Sequence, residues 1–290
     1  MSYVIATDSG CDVWPSLLAE WGVVSADLTF RFDGDETEYT NRELGTEAFY
    51  ERMRAGGVSR TSAVNHGAFL ELFRPVLEDG KDLLYLGFDS GISSTSQTGI
   101  MAARELQEEF PDRKIIAIDT LCAAGGQGLV VWEAVQRQRA GMELEELAEY
   151  IGKLCPGICQ WFTVDDLMYL KRGGRISAAS AFAGNLLNIR PVLHVDDEGK
   201  LINMYKVRGR KASISALVKE YLKRANRSET GDWAPYFINQ GSCMKDAELL
   251  ESMIVEQTGR KAEFIMDIGP VIGSHTGPGI LALFFEGKER

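Results

Sequence analysis

The sequence predicts an α/β protein of two domains: an N-terminal parallel-sheet α/β domain, then a C-terminal α+β domain with mostly antiparallel pairing. Three observations predict it. Over the first half, short apolar runs alternate with helix patterns, which is the strand–loop–helix rhythm of βαβ units and a parallel sheet. Past about Ile158 the rhythm changes, and a hairpin signal appears. The chain of 290 residues, 45% of them hydrophobic, is long enough for one large or two modest cores.

The elements follow in order. Tyr3 to Thr7 is a strand that starts at once. Pro15 opens a short helix, at a position where its missing N–H costs nothing. Val23 to Phe32 alternates as one strand, and Asp33-Gly34 is a turn signal. Thr46 to Arg54 and Gly67 to Leu77 are helices. Then come a strand over Asp82 to Phe88, a helix over Thr95 to Glu109, a strand over Lys114 to Asp119 and a helix over Gly126 to Arg139. Gly141 to Glu146 opens the helix before the change of rhythm, and the boundary falls near Ile158, giving domains 1–158 and 159–290. Gln160 to Val164 is a strand and Asp165 to Lys171 a short helix. Pro191 to Val195 and Leu201 to Val207 flank the turn 196–200 as a hairpin. A helix over Ser213 to Ala225, a strand near Tyr236 to Asn239, a helix over Lys245 to Gln257 and strands near Glu263 to Asp267 and Leu281 to Glu286 complete the chain.

Charge narrows the classes of partner. Against 31 Lys and Arg stand 42 Asp and Glu, a net charge of −11, which argues against nucleic acid or an anionic membrane surface. No run reaches the length of a membrane span, and the N-terminus has no basic leader, so a cytoplasmic protein is expected. Five dispersed cysteines (Cys11, Cys122, Cys155, Cys159, Cys243) fit free thiols in a reducing compartment. Cys155 and Cys159 would need two further ligands to hold a metal, and the three histidines are not clustered, so neither a metal nor a cofactor is expected.

Two hydroxyl-rich loops lie just before helices: Ser59-Arg60-Thr61-Ser62 and the run Asp89 to Ser96, with Ser93, Ser94 and Thr95 in it. In a doubly wound sheet such loops gather ligands, and a helix N-terminus favours an anion there. Helix capping is the competing reading. The second loop has no Lys or Arg between Leu83 and Met101, which disfavours a triphosphate and suits a single carboxylate better. Gly125-Gly-Gln-Gly128 does not match the dinucleotide fingerprint G-x-G-x-x-G. His275 stands in a glycine-rich loop, Gly269 to Gly279, as either a ligand contact or a turn-packing residue. Lys171-Arg172-Gly-Gly-Arg175 and Lys206-Val-Arg208-Gly-Arg210-Lys211 concentrate cations in an acidic chain. They are either a solvated face or a docking surface for a phosphate or an acidic partner.

Together these stretches resemble the DegV family of bacterial fatty-acid-binding proteins, over about residues 3–288. The resemblance is carried by Ile5-Ala-Thr-Asp8-Ser9, Thr61-Ser62, Ser90-Gly-Ile-Ser93-Ser-Thr95, the run Asp165 to Ser177 with its Lys-Arg-Gly-Gly-Arg175, Leu187-Asn-Ile-Arg-Pro191, Val207-Arg-Gly-Arg-Lys211 and Ile268 to Gly279. It implies a long-chain fatty acid, such as palmitate or oleate, buried between the domains, and a role in lipid transport or fatty acid metabolism. It implies that Thr61 and Ser93 hydrogen-bond the carboxylate, with Ser62, Ser94 and His275 nearby. It also implies that the chain is no enzyme by itself. It would be the acyl-binding subunit of a fatty acid kinase, whose ATP-using subunit phosphorylates the carboxylate. Arg175, Arg208 and Arg210 would face that partner. Ala63-Val64-Asn65 and the stretch Thr120 to Gly125 depart from the family pattern, which bears on pocket shape and acyl preference.

Two readings compete. A stand-alone small-molecule kinase or transferase of related first-domain architecture is disfavoured by the missing lysine. A hydrolase using Ser93 and His275 shows no orienting acid and no G-x-S-x-G elbow.

Overall fold

The computed structural model describes residues 3–176 and 188–290. Among these, four parallel strands form the first sheet, in the order β2 (Val24–Ala26), β1 (Tyr3–Asp8), β6 (Asp82–Gly87), β7 (Ile115–Asp119). Helices α1 (Pro15–Trp21), α3 (His66–Glu78), α4 (Thr95–Glu109), α5 (Gly125–Arg139) and α6 (Leu144–Leu154) accompany it. The chain leaves β1 toward β2 on one side, while β6 lies on the other. A crevice therefore opens beyond the carboxyl ends of β1 and β6, where open α/β sheets bind ligands. Buried Asp8, at the carboxyl end of β1, ties that end to the chain leaving β6: it accepts from Phe88 N (3.0 Å), Tyr85 Oη (2.8 Å) and Gly10 N (3.0 Å). Burial pushes its carboxyl up to about 6 against the pull of these donors.

The second sheet has six strands in the order β10 (Leu201–Arg208), β9 (Ile189–Val195), β8 (Ile158–Thr163), β13 (Leu281–Glu286), β11 (Tyr236–Gln240), β12 (Phe264–Asp267). All neighbours pair antiparallel except β11 with β12. Helices α8 (Arg210–Arg224) and α9 (Met244–Thr258) cover one face, packing Leu217, Tyr221, Leu250 and Ile254 onto Trp161, Ile238 and Phe285.

Helix α5 lies between the two sheets and is buried along most of its length, with Leu129, Val130, Val131 and Val135 in a core shared with Ile5, Leu84, Phe237 and Phe284. Here the glycine run finds its reason. A Cβ on Gly125 would meet Asn239 Oδ1 at 2.1 Å, and one on Gly126 would meet Gln160 Oε1 at 2.7 Å. The run lets a helix approach the second sheet closely; it is a packing device.

The structure corrects four local expectations. Val23 to Phe32 is two strands: β2 ends at Ala26, and β3 (Thr29–Phe32) belongs to a separate antiparallel sheet with β4 (Tyr39–Thr40) and β5 (Ser59–Ser62). The break falls at Asp27-Leu28, where Leu28 N–H donates to Ser9 Oγ (2.9 Å) rather than to a neighbouring strand. Ser59 to Ser62 is therefore strand β5, not a loop. The helix expected from Asp165 begins later, as α7 (Met168–Arg172), with Asp166 Oδ1 accepting from Met168 N at 2.8 Å. The segment around His275 is helix α10 (Pro270–Thr276), opened by a proline at its first position. The remaining helix, α2 (Thr46–Arg54), supports the small sheet through Phe49 against Phe30 and Phe32. Ser177 and Leu187, which end and begin two of the motifs quoted above, lie outside the described residues.

Candidate functional site

Strand β5 is short and polar, and its period of two decides which side chains meet the site. Ser59 and Thr61 face α10, while Arg60 and Ser62 turn outward and are exposed. Ser59 Oγ donates to Ser274 Oγ (2.6 Å), which in turn donates to Pro270 O (2.7 Å). Two residues further along the strand and one along the helix, Thr61 Oγ1 and His275 Nε2 are 2.8 Å apart. Two residues of a strand and two of a helix, some 214 positions apart in sequence at Thr61 and His275, are thus held side by side.

The imidazole's environment sets the direction of that bond. Burial pushes His275 down to about 4, and the Arg175 guanidinium beside it acts the same way, so the ring is neutral near pH 7. Its Nδ1 is buried without a hydrogen-bond partner among the described residues. Gly173 backbone packs directly over it, since a Cβ there would stand 2.1 Å from Nδ1. A buried orphan N–H costs more than a bare ring lone pair, so the proton belongs on Nε2. His275 then donates to Thr61, and the Thr61 hydroxyl is free to donate onward.

Ser93 is prepared in a parallel way. Its Oγ accepts from Thr95 N (3.2 Å) and lies 2.9 Å from Thr95 Oγ1. The Thr95 hydroxyl is fully buried and needs an acceptor, which Ser93 supplies. The Ser93 hydroxyl is left with its own proton to give. The loop itself is a turn shaped by Asp89, whose carbonyl accepts from Ser93 N (3.1 Å) and whose Oδ1 accepts from Gly91 N (2.8 Å). The capping reading is thus part of the arrangement: Ser93 does tie down the start of α4, and it does so as an acceptor.

Thr61, Ser93 and His275 line one cavity of about 190 Å³. Its other walls are mostly apolar and come from both halves of the chain: Leu28, Phe88 and Ile92 from the first, Leu170, Leu201, Val271 and Ile272 from the second. Ser62 and Ser94 also touch the cavity. However, Ser62 Oγ donates to Glu38 Oε1 (3.1 Å), and Ser94 is exposed at the head of α4. Helix α4, with Ser94 at its N-cap, adds the favourable end of its dipole. Leu201 had no signal in the sequence. It arrives because the 196–200 turn packs onto the Ser93 loop, where Gly199 leaves no room for a Cβ beside Asp89 Oδ1 (1.9 Å).

The three arginines expected on one docking face are placed differently from one another. Arg208 is exposed at the end of β10. Arg210 is ion-paired with Asp246 (2.9 Å) and Asp165 (3.5 Å) at the start of α8. Arg175 turns inward, donating to Ile92 O (3.0 Å) and Gly173 O (2.6 Å). It lines the cavity just described and two adjoining ones of about 590 and 290 Å³, so all three meet at its side chain. Among the described residues no cluster of His, Cys, Asp and Glu could hold a metal ion, and no helix is long and apolar enough to cross a membrane.

Fold and site together define a two-domain α/β scaffold with an apolar cleft between its halves and hydroxyl donors at one end. The chain belongs to the DegV family, whose model, described as an uncharacterised protein family, matches residues 2–288. A DegV domain-containing protein of Clostridium perfringens is 40% identical over 99% of this chain and 98% of its own length. One from Streptococcus pyogenes is 36% identical over 99% of both. Among solved structures, a DegV family protein from Thermus thermophilus described by its fatty acid binding superposes with a TM-score of 0.86. It is 27% identical, over 99% of this chain and 100% of that one. A fatty acid binding DegV family protein from Streptococcus agalactiae gives a TM-score of 0.84 at 27% identity, covering both chains fully.

Proposed function

We propose that this protein binds a long-chain fatty acid between its two halves, residues 1–158 and 159–290, and presents the carboxylate to a separate ATP-using partner, itself doing no chemistry. One observation carries the reading. At the end of an apolar cavity two hydroxyls, Thr61 and Ser93, are each loaded from behind by a donor and keep their own protons for an acceptor in front. An anion with a long apolar tail satisfies both halves of that description. The fatty acid binding described for the Thermus and Streptococcus relatives supports the same ligand class. Each methylene taken from water contributes about 0.8 kcal/mol, so tight retention needs only a modest polar head contact. The two hydroxyls set position and polarity, with Ser94 and the α4 dipole assisting. Ser62 plays at most a minor part, its hydroxyl being committed to Glu38.

The carrier role rests on Arg208, exposed, and on Arg175, at the junction of the cavities. Arg210 acts chiefly through the Asp165–Asp246 pairing that holds the start of α8. A carboxylate held by neutral donors keeps its nucleophilic oxygen, which suits phosphorylation in trans by ATP.

The test is a titration of lipid-stripped protein with palmitate. A hydrogen bond to a charged group is worth about 1.5–3 kcal/mol, so Thr61→Val and Ser93→Ala should each weaken binding roughly tenfold to a hundredfold. If both variants fold normally and bind as the wild type does, these hydroxyls do not hold the head group.

A further inference from the structure

Arg290, in the segment that follows β13, is buried at 9% exposure. Its Nη1 donates to Leu121 O (3.0 Å) and Asp196 O (3.2 Å). Its Nη2 donates to Cys155 O (2.7 Å) and Cys122 Sγ (3.5 Å). None of these acceptors is charged: three are backbone carbonyls, and burial pushes the Cys122 thiol well up, so it stays protonated. Taking a guanidinium out of water is costly, and a carboxylate is the usual compensation. Here the compensation comes from three separate segments: the loop after β7, the short turn Cys155–Gly157 before β8, and the turn 196–200 between β9 and β10. Arginine suits such a place because its planar fork can serve several acceptors at once. The buried charge is satisfied only while all three segments keep their positions, so the side chain ties them to one another.

Two of those segments flank the loop that carries Ser93. On one side, Cys122 O accepts from Asp89 N (3.0 Å), and Asp89 O accepts from Ser93 N (3.1 Å). The stretch behind Cys122 is under strain, since Leu121 and Ala124 both have φ of 49°, in the left-handed region that side chains avoid. Gln160 and Arg290 hold it there: Leu121 O accepts from Gln160 Nε2 (2.9 Å) as well as from Arg290. On the other side, Asp196 Oδ1 accepts from Glu198 N (3.0 Å) and Lys200 N (2.8 Å), which makes 196–200 a tight turn. That turn presses on the Ser93 loop: a Cβ on Gly91 would stand 2.5 Å from Glu198 O and 2.7 Å from Gly199 O. Arg290 lines none of the three cavities described above. Thr61 and His275 are held by other means, β5 pairing with β3 and α10 being anchored to Asn41.

We infer that Arg290 is a positioning residue for the head-group site: by pinning Leu121 and Asp196 to one guanidinium it fixes the loop that carries Ser93, and it leaves the Thr61 half untouched. The inference rests on the proposed binding of a carboxylate by Ser93. With a neutral, shorter side chain at 290, the carbonyls of Leu121 and Asp196 lose their shared donor. Leu121 can then relax out of its left-handed conformation, Cys122 O moves with it, and Asp89 N follows. The turn 196–200 is released at the same time, so the loop loses its support on both sides. Ser93 keeps its hydroxyl, but the hydroxyl is no longer aimed.

The test is a pair of double-mutant cycles on the lipid-stripped chain, read by palmitate titration, with amide hydrogen exchange on the same proteins. Arg290→Gln should weaken palmitate about tenfold. The same loss of about tenfold should appear in the Thr61→Val background, whereas in the Ser93→Ala background it should shrink to within about twofold. Amide exchange should speed up about tenfold or more over residues 89–93 and 196–201, and stay within about twofold over residues 59–62 and 270–276. A merely structural arginine would loosen both halves of the site and would lower affinity equally in both backgrounds. Arg290→Lys keeps the charge and reaches fewer acceptors, so it should give an intermediate loss with the same dependence on Ser93; it carries the test if Arg290→Gln does not fold. Wild-type palmitate affinity in Arg290→Gln overturns the inference, as does a loss undiminished in the Ser93→Ala background, or exchange that rises equally in all four segments. If the wild type itself takes up no palmitate, the fatty acid reading falls and this inference falls with it. A wild type that binds palmitate beside an Arg290→Gln variant that binds it equally well removes only the role given to Arg290.

Discussion

Gly173 is the smallest handle on the head-group site. Its φ is −71°, an ordinary value for any residue, so alanine there costs nothing in backbone strain. The added methyl, however, would stand 2.1 Å from His275 Nδ1 and 3.1 Å from its Cε1 and Cγ. The imidazole cannot keep its place. Ser274 and Thr276 on either side of it are buried, and Val271 N at the other end of α10 is anchored to Asn41 Oδ1 at 2.8 Å. The ring must therefore turn, and the 2.8 Å contact between its Nε2 and Thr61 Oγ1 is lost. Without that donor, Thr61 no longer presents its proton to the cavity in one orientation. The expected cost is about one charge-assisted hydrogen bond in the ligand complex, roughly 1.5–3 kcal/mol, or about tenfold to a hundredfold in Kd. Overpacking costs the fold a further ~1–3 kcal/mol. Palmitate titration of Gly173→Ala, with circular dichroism to check folding, measures both effects. The control is His275→Ala, which removes the clash: in that background Gly173→Ala should have almost no further effect on affinity. A Gly173→Ala protein with wild-type affinity, or one whose loss is undiminished in the His275→Ala background, would refute this account of how Thr61 is aimed.

Two other outcomes follow from buried and paired charges. Burial pushes the Asp12 carboxyl up from its ordinary 3.8 to about 8 and Asp89 up to about 7. A folded-state pKa above the unfolded one means stability that is full at low pH and is lost as pH rises through the folded value. His194 and His275, pushed down to about 4, act in the opposite sense, but only below their ordinary 6.5. Thermal stability should therefore fall between about pH 6.5 and 8, and Asp12→Asn should flatten that fall; an unchanged slope in thermal melts of the variant would show that Asp12 is already ionised in the fold. For the basic loops, Arg210→Ala should lower stability by about 1 kcal/mol or more, because it breaks the contacts to Asp246 and Asp165, while Arg208→Ala should leave the melting temperature unchanged. Equal melting temperatures in the two variants would mean that Arg210 is as free as Arg208.

The sequence was most informative where a segment carries its own period. Strand β6 and helices α2, α4 and α5 lie within a residue of where their apolar patterns and punctuation put them, because those patterns answer to the local geometry of strand and helix. It was least informative where the partner is distant. Ser59 to Ser62 is a strand only because β3 lies beside it, and four polar residues have no alternation of their own to announce that. The glycines around His275 suggested a loop, yet Pro270 starts seven residues of helix whose first turn is held by Asn41, 230 positions away. In the site, Thr61, Ser93 and His275 were legible as residue types, and the structure brings all three to one cavity. Their hydrogen-bond directions were not legible. These depend on Thr95 and Gly173, whose parts emerge only when burial and contact are known. The basic runs looked alike in sequence; only the positions of Asp165, Asp246 and Ile92 in space separate Arg210 and Arg175 from exposed Arg208.

The central claim is that the cavity between the halves is built for a long acyl chain with a free carboxylate. Organic extraction of the freshly purified protein, with mass spectrometry of the extract and of the intact protein under native conditions, tests it most directly. The account predicts about one long-chain fatty acid per chain, retained because burying some fifteen methylenes at ~0.8 kcal/mol each far exceeds what dilution can reverse, and it predicts that Thr61→Val/Ser93→Ala protein arrives with less of it. Protein that yields no stoichiometric lipid, and that takes up neither palmitate nor oleate when these are supplied, would contradict it.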